Sequence, residues 1–122
     1  MLYAIVFVGA GIGGALRHGV NVAAARSFGY GFPTGTLIVN VIGSFLMGLL
    51  AGYLLLRPGI NQHMRLFLTT GILGGFTTFS AFSLDTALLI EQHAYWLAAA
   101  YVMGSVAASI LALFAGMSLV RT

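Results

Sequence analysis

"GGFTTFSAFS", residues 74–83, interrupts an apolar run that opens with "MRLFLTTGIL" (64–73) and resumes with "LDTALLI" (84–90). The flanks read as one membrane span, yet its middle holds two glycines, two threonines, two serines and three phenylalanines. Thr78 lies midway between Arg65 and Glu91, so the interruption falls near the bilayer centre. Gly74 and Gly75 each weaken a helix by ~1 kcal/mol relative to Ala. Thr77 and Thr78 can hydrogen-bond the backbone groups that a break sets free. The stretch predicts a break around Gly74 to Thr78; the alternative is a continuous helix bent by Gly and Thr. A break would present carbonyls, suited to a cation, at the end of its first half. It would present N–H groups, suited to an anion, at the start of its second.

The rest of the chain fits this setting. Of its 122 residues, 60% are hydrophobic and 6% charged, with mean hydropathy +1.03. Five arginines and two acids cannot cover a soluble surface, so the class is integral membrane protein. A span needs ~20 apolar residues. Four such runs fit, at about residues 2–25, 34–56, 64–90 and 95–120. The expectation is an all-α membrane protein, a single transmembrane unit over residues 1–122 with its third helix broken. Boundaries carry Arg, Glu, Pro, Gly or interfacial aromatics such as Tyr30 and Trp96. Loops are short, so neighbouring helices run antiparallel. The first run has no basic start and reads as a span, not a cleaved leader. Arg57, Arg65 and Arg121 fall on one side of the membrane and Arg26 on the other, with Arg17 deeper. That is a weak amino-terminus-inside bias, and it also suits insertion in both directions.

Several chemistries are excluded. Without cysteine there is no disulfide or thiolate metal site. The sparse positive charge makes no nucleic-acid patch. "GAGIGG" (9–14) matches a dinucleotide-loop pattern, but no acid occurs before Asp85, so it reads as helix packing. "GAGIG" (9–13) and "GLLAG" (48–52) are both GxxxG, for packing within one chain or between subunits. His18, His63 and His93 have no metal spacing, and no enzyme signature is present.

Thr36, Asn40, Ser44 and Gly48 recur every fourth residue of the second span, and Tyr101, Ser105 and Ser109 do so in the fourth. Each set forms one helix face. Such stripes either glue helices together, at ~0.6 kcal/mol per bond, or line a solute path. With a polar third span beside them, the path is the stronger reading. The stripes offer hydrogen-bond donors without a carboxylate, which suits an anion or a neutral polar solute. Phe76, Phe79 and Phe82 are three apart. Phe76 reads as lipid contact or core packing. The electropositive ring edges of the other two can touch a dehydrated anion without holding it tightly.

These residues carry a resemblance. The chain resembles the Fluc/CrcB family of small fluoride channels over essentially its whole length. The carrying motifs are "GGALRHGVN" (13–21), "GTLIVNVIGSFLMG" (35–48) and "GILGGFTTFSAFSLD" (71–85), with the spaced Tyr101, Ser105 and Ser109. The resemblance implies a passive fluoride channel in a prokaryotic inner membrane. It implies a homodimer of four-helix subunits inserted antiparallel, with two pores. By the same resemblance Asn40, Phe79, Phe82, Ser80, Ser83, Tyr101, Ser105 and Ser109 line the pore, and Thr36 stands on the same stripe. Gly74 and Thr77 offer backbone carbonyls to a central structural sodium ion. Arg17 matches a vestibule arginine, with membrane anchoring as its alternative, and Asp85 matches a usually acidic position.

Two other functions compete. A small multidrug-type transporter needs a membrane-embedded acid in its first span for proton exchange, where this chain has Arg17. A non-transporting membrane subunit would use the polar stripes only as glue.

Overall fold

The structure is a computed structural model that describes residues 1–29, 31–56, 59 and 61–121, without the side chains of Leu55, Leu56 and Arg121. The expected boundary residues Tyr30 and Arg57 lie outside the described residues. The helices are α1 (Leu2–Phe28), α2 (Thr34–Leu56), α3 (Gln62–Leu66), α4 (Gly74–Phe76), α5 (Phe79–Glu91) and α6 (Tyr95–Arg121). A π-helical segment, Phe67–Leu73, joins α3 to α4. Together these make four spans long and apolar enough to cross a membrane: Leu2–Phe28, Thr34–Leu54, Gln62–Glu91 and Tyr95–Val120. The outer surface is apolar, with Tyr3, Phe7, Trp96, Met103, Leu111 and Phe114 exposed. In water such a surface would associate, and lipid accommodates it.

Helix ends follow local chemistry. α1 runs on to Phe28, past its expected end near residue 25, and stops at Gly29. There the Gly29 N–H makes the last helical bond, to the Ala25 carbonyl at 2.9 Å, and a φ of 80° turns the chain out of the helix. Asn61 caps α3, its Oδ1 accepting from the His63 N–H at 2.7 Å. α5 ends in a Schellman turn. The His93 N–H donates to Ile90 and the Ala94 N–H to Leu89, with His93 itself at φ 62°. Leu89 and Ala94 meet in the small cluster around Tyr101, the hydrophobic contact that accompanies such turns.

Both GxxxG motifs work within the chain. The most extensive packing is between α2 and α6. A Cβ at Gly48 would strike the Leu113 carbonyl, one at Gly116 the Phe45 carbonyl, and one at Gly52 would sit 3.2 Å from the Met117 carbonyl. Gly9 and Gly13 of α1 serve a second seam. There a Cβ would strike Gly71 and Phe67 from the first position and Ile72 from the second. Dispersion needs such close backbones where lipid supplies no hydrophobic drive.

The break is narrower than expected. Gly74 and Gly75 remain helical, with Gly74 at φ −62°, ψ −38°. The extended residues are Thr77 (φ −84°, ψ 159°) and Thr78 (φ −153°, ψ 124°). Gly75 has a packing reason: a Cβ there would strike the Ala10 carbonyl of α1. It admits the neighbouring helix, and the threonines end the local one.

Candidate functional site

Where α2 passes the break, Gly43 leaves room for the Thr77 methyl group. Three residues earlier, Asn40 turns its carboxamide onto Thr78. Its Nδ2 donates to the Thr78 carbonyl at 3.0 Å, and its Oδ1 accepts from the Thr78 N–H at 2.8 Å. The partners fix the amide's orientation, because a backbone N–H only donates and a carbonyl only accepts. The Thr78 side chain then caps α5, its Oγ1 accepting from the Ala81 N–H at 3.1 Å.

These bonds divert helical donors. In an unbroken helix the Thr78 N–H would serve the Gly74 carbonyl, and the Ala81 N–H the Thr77 carbonyl. Here Asn40 and the Thr78 hydroxyl take them. The last helical bond before the break is Thr77 N–H to Leu73 carbonyl at 3.0 Å, and the Thr77 hydroxyl adds a second bond to that carbonyl. Gly74 and Thr77 are therefore the positions whose carbonyls lose their helical donors to side chains.

A groove of about 420 Å³ runs along this junction. It is lined by Asn40, Ser44 and Met47 of α2, by Gly74, Thr77 and Thr78 at the break, by Phe79 and Phe82 of α5, and by Ser105, Ser109 and Leu113 of α6, among others. Among the described residues, none that lines it carries an ionisable side chain. The Phe79 and Phe82 rings lie 5.5 Å apart at 44°. Phe79 is 77% exposed, so the groove is open on that side. Ser105 is only 5% exposed, and its Oγ has no hydrogen-bond partner. An unpaired buried hydroxyl costs ~1–3 kcal/mol, and it points to a polar occupant of the groove.

A second cavity of about 370 Å³ lies against the α1–α2 connection and includes Asn21, Thr34, Thr36, Asp85 and Gln92 in its lining. Between the two stands Tyr101, 1% exposed, its ring 5.1 Å from Phe82 and its hydroxyl donating to Asp85 Oδ2 at 3.1 Å. Among the described residues, no three His, Asp or Glu side chains gather as a metal site.

A break held by a side-chain amide, unionised donors and paired phenylalanines form one groove, and the sequence carries a family match over nearly its whole length. The model of the CrcB-like proteins, described as Camphor Resistance (CrcB), matches residues 4–117. The chain belongs to the CrcB family. A CrcB relative of Methylobacterium nodulans, named fluoride-specific ion channel FluC, is 61% identical over 117 residues, covering 96% of this chain and 94% of its own. A protein of that name from Granulibacter bethesdensis is 57% identical over 122 residues, covering 100% and 96%. Nitrobacter hamburgensis has a fluoride-specific ion channel FluC 2 that is 57% identical over 121 residues, covering 99% and 98%.

In this CrcB chain the fold brings Asn40, Phe79, Phe82, Ser105, Ser109, Gly74 and Thr77 to one groove. Thr36 falls in the second cavity, and the Tyr101 hydroxyl is committed to Asp85. Ser80 and Ser83 are exposed on α5 outside the groove lining, with Ser80 Oγ 3.3 Å from Thr78 Oγ1. Arg17 is half-buried on α1 and lines neither cavity. The sequence reading did not foresee the two-bond hold on Thr78, the Tyr101–Asp85 bond or the π-helical segment. Ser44, on the four-residue stripe of α2, also joins the groove. Phe76 is buried, as its packing role requires.

Proposed function

We infer that this CrcB chain forms a passive, fluoride-selective channel that lets cytoplasmic fluoride leave the cell down its electrochemical gradient. The carrying observation is the groove in which an amide, an unpartnered buried hydroxyl and two phenylalanines converge with no ionisable side chain among the described residues. The relatives' names supply the ion. Fluoride is small and strongly hydrated, so its dehydration must be offset by donors. Neutral hydroxyls and ring edges offset it without the fixed charge that would hold the ion too tightly for exit. Asn40, Phe79, Phe82, Ser105 and Ser109 are the groove's share of the pore. Tyr101, Thr36, Ser80 and Ser83 extend it toward the membrane faces, and Arg17 draws anions into a vestibule.

The groove is open in a single chain, and 77% exposure of Phe79 favours a second copy as its cover. The sparse arginine bias supports an antiparallel homodimer with two pores, in the inner membrane of a prokaryote. A structural sodium ion fits the break. The Gly74 and Thr77 carbonyls, relieved of their helical donors, would hold it and supply the hard oxygen ligands such a cation takes. No reaction is catalysed in this reading. A proton-coupled drug transporter lacks an acid in its groove, and a purely structural subunit leaves the Ser105 hydroxyl unexplained.

Liposomes holding only this protein test the reading. An electrode should record electrogenic fluoride release with chloride retained. A folded, dimeric and inert preparation overturns it.

A further inference from the structure

Asn40 has two hydrogen-bonding groups, and Thr78 occupies both. The Oδ1 takes the Thr78 N–H and one Nδ2 hydrogen goes to the Thr78 carbonyl, at 2.8 and 3.0 Å. A partly buried amide that pairs with both the N–H and the C=O of one extended residue acts as a missing strand would. Its grip keeps the Thr78 N–H away from the Gly74 carbonyl. It also holds Thr78 extended, which seats the Oγ1 cap on Ala81 and sets where α5 begins. Phe79 and Phe82 project from that first turn.

We propose that Asn40 is a positioning residue for ion passage, acting through the Thr78 peptide to hold the third span broken. This rests on the fluoride-channel reading and adds to it: the amide's main work is on the backbone, and the ion meets what that backbone holds in place.

The proposal separates Asn40→Asp from other substitutions by protonation. A carboxylic acid can accept from the Thr78 N–H with one oxygen and donate its O–H to the Thr78 carbonyl with the other, restoring both bonds. A carboxylate sets an oxygen against that carbonyl and cannot. The protonated acid then has no hydrogen left for an ion, so recovery in acid excludes direct donation; because protonation also removes a charge from the anion path, the neutral Asn40→Ser separates the grip from that charge. Among the described residues, no ionisable side chain lines the groove on α2, α4, α5 or α6. On α1, Arg17 and His18 line neither cavity. Asp85, about two turns along α5 from Thr78, lines the second cavity and accepts from Tyr101.

The experiment is fluoride current across a planar bilayer for wild type, Asn40→Asp and Asn40→Ser, between about pH 9 and about pH 5. Hydrogen fluoride is neutral and carries no current, so its leak does not register. At high pH, Asn40→Asp should carry roughly tenfold less current or worse. In acid its current should climb to within about threefold of wild type. Wild type and Asn40→Ser should show no such climb. Asn40→Ser, with a hydroxyl too short for both Thr78 groups, should stay about tenfold or more below wild type. A pH-independent or acid-weakened Asn40→Asp overturns the proposal, as does an Asn40→Ser current near wild type. Should Asn40→Asp fail to fold, as seen by size exclusion, Asn40→Ser decides alone. A wild type without fluoride current sinks the channel reading instead. The grip is then read from thermal melting, where Asn40→Asp should gain stability in acid and wild type should not; equal shifts in both overturn it.

Discussion

Up to Phe76 the third span buries Gly71, Leu73 and Phe76, whereas from Phe79 to Glu91 it buries Leu89 alone. The first part presses backbone to backbone on α1, where Gly9, Gly13, Gly71 and Gly75 leave no room for a Cβ. The second part shows Phe79, Ser80, Ser83 and Leu84 to the outside. Both belong to one span of similar composition, so hydropathy does not divide them. The division comes from the break, which lets one part be completed inside the chain and leaves the other to be completed by something else. A transport path needs both: a fixed wall and a face not yet filled.

The largest expected effect falls on the fixed wall. Gly13→Val and Gly75→Val each drive a branched side chain into the backbone, of Ile72 and Ala10 respectively. Neither wall can yield by a side-chain rotation, so the cost should exceed ~3 kcal/mol and abolish a folded, monodisperse protein in detergent. Normal melting of either variant would break the comparison at its first term.

Phe79→Ala addresses the open face. The ring is largely exposed in the single chain, so the fold of that chain should change by under ~1 kcal/mol, any further loss being confined to its association with the second copy. Fluoride release from vesicles should nonetheless fall roughly 100-fold, equivalent to ~3 kcal/mol of barrier. A large loss of stability with intact permeation would reverse the roles given to the two parts.

Thr78→Val lies at the boundary. It keeps the branched side chain and the peptide that Asn40 grips, but loses the Oγ1 bonds to the Ala81 N–H and Ser80. The loss of one cap predicts ~1 kcal/mol of destabilisation by thermal or denaturant melting.

What the sequence disclosed follows the same division. Four-residue spacing survives in any straight helix, so Asn40, Ser44, Ser105 and Ser109 could be placed on shared faces, and they meet in the groove. Phe79 and Phe82 share a helix face in the same way. Ser80 and Ser83 are neighbours in sequence, but each stands one residue, or ~100°, around α5, and they lie outside the groove lining. The break was legible as a region, and its position was not. Glycine content pointed to Gly74 and Gly75, but Gly74 stays helical and Gly75 serves the approach of α1. The break forms where Asn40, 38 residues away, takes the Thr78 peptide. Long-range register of that kind leaves no local pattern. The Tyr101–Asp85 bond is also tertiary, although its partners are only 16 residues apart.

The smallest effect tests the seam within one motif. "GAGIG" contains Gly9, Gly11 and Gly13, which a pattern search treats alike. A Cβ at Gly9 or Gly13 meets backbone, but at Gly11 nothing lies within 4 Å. Gly11 stands on the outer face of α1, where a methyl group removes chain entropy from the unfolded state and meets no wall. Gly11→Ala should therefore stabilise the protein by up to ~1 kcal/mol, the helix-propensity difference, with fluoride release unchanged. Gly9→Ala should cost stability in the same melting experiment, because its Cβ would lie 2.9 Å from Gly71 Cα. Opposite signs two residues apart would locate the seam on one face of α1. A loss at Gly11 as large as at Gly9 would mean that the outer face is also covered, and a second copy of this chain would be the first candidate to cover it.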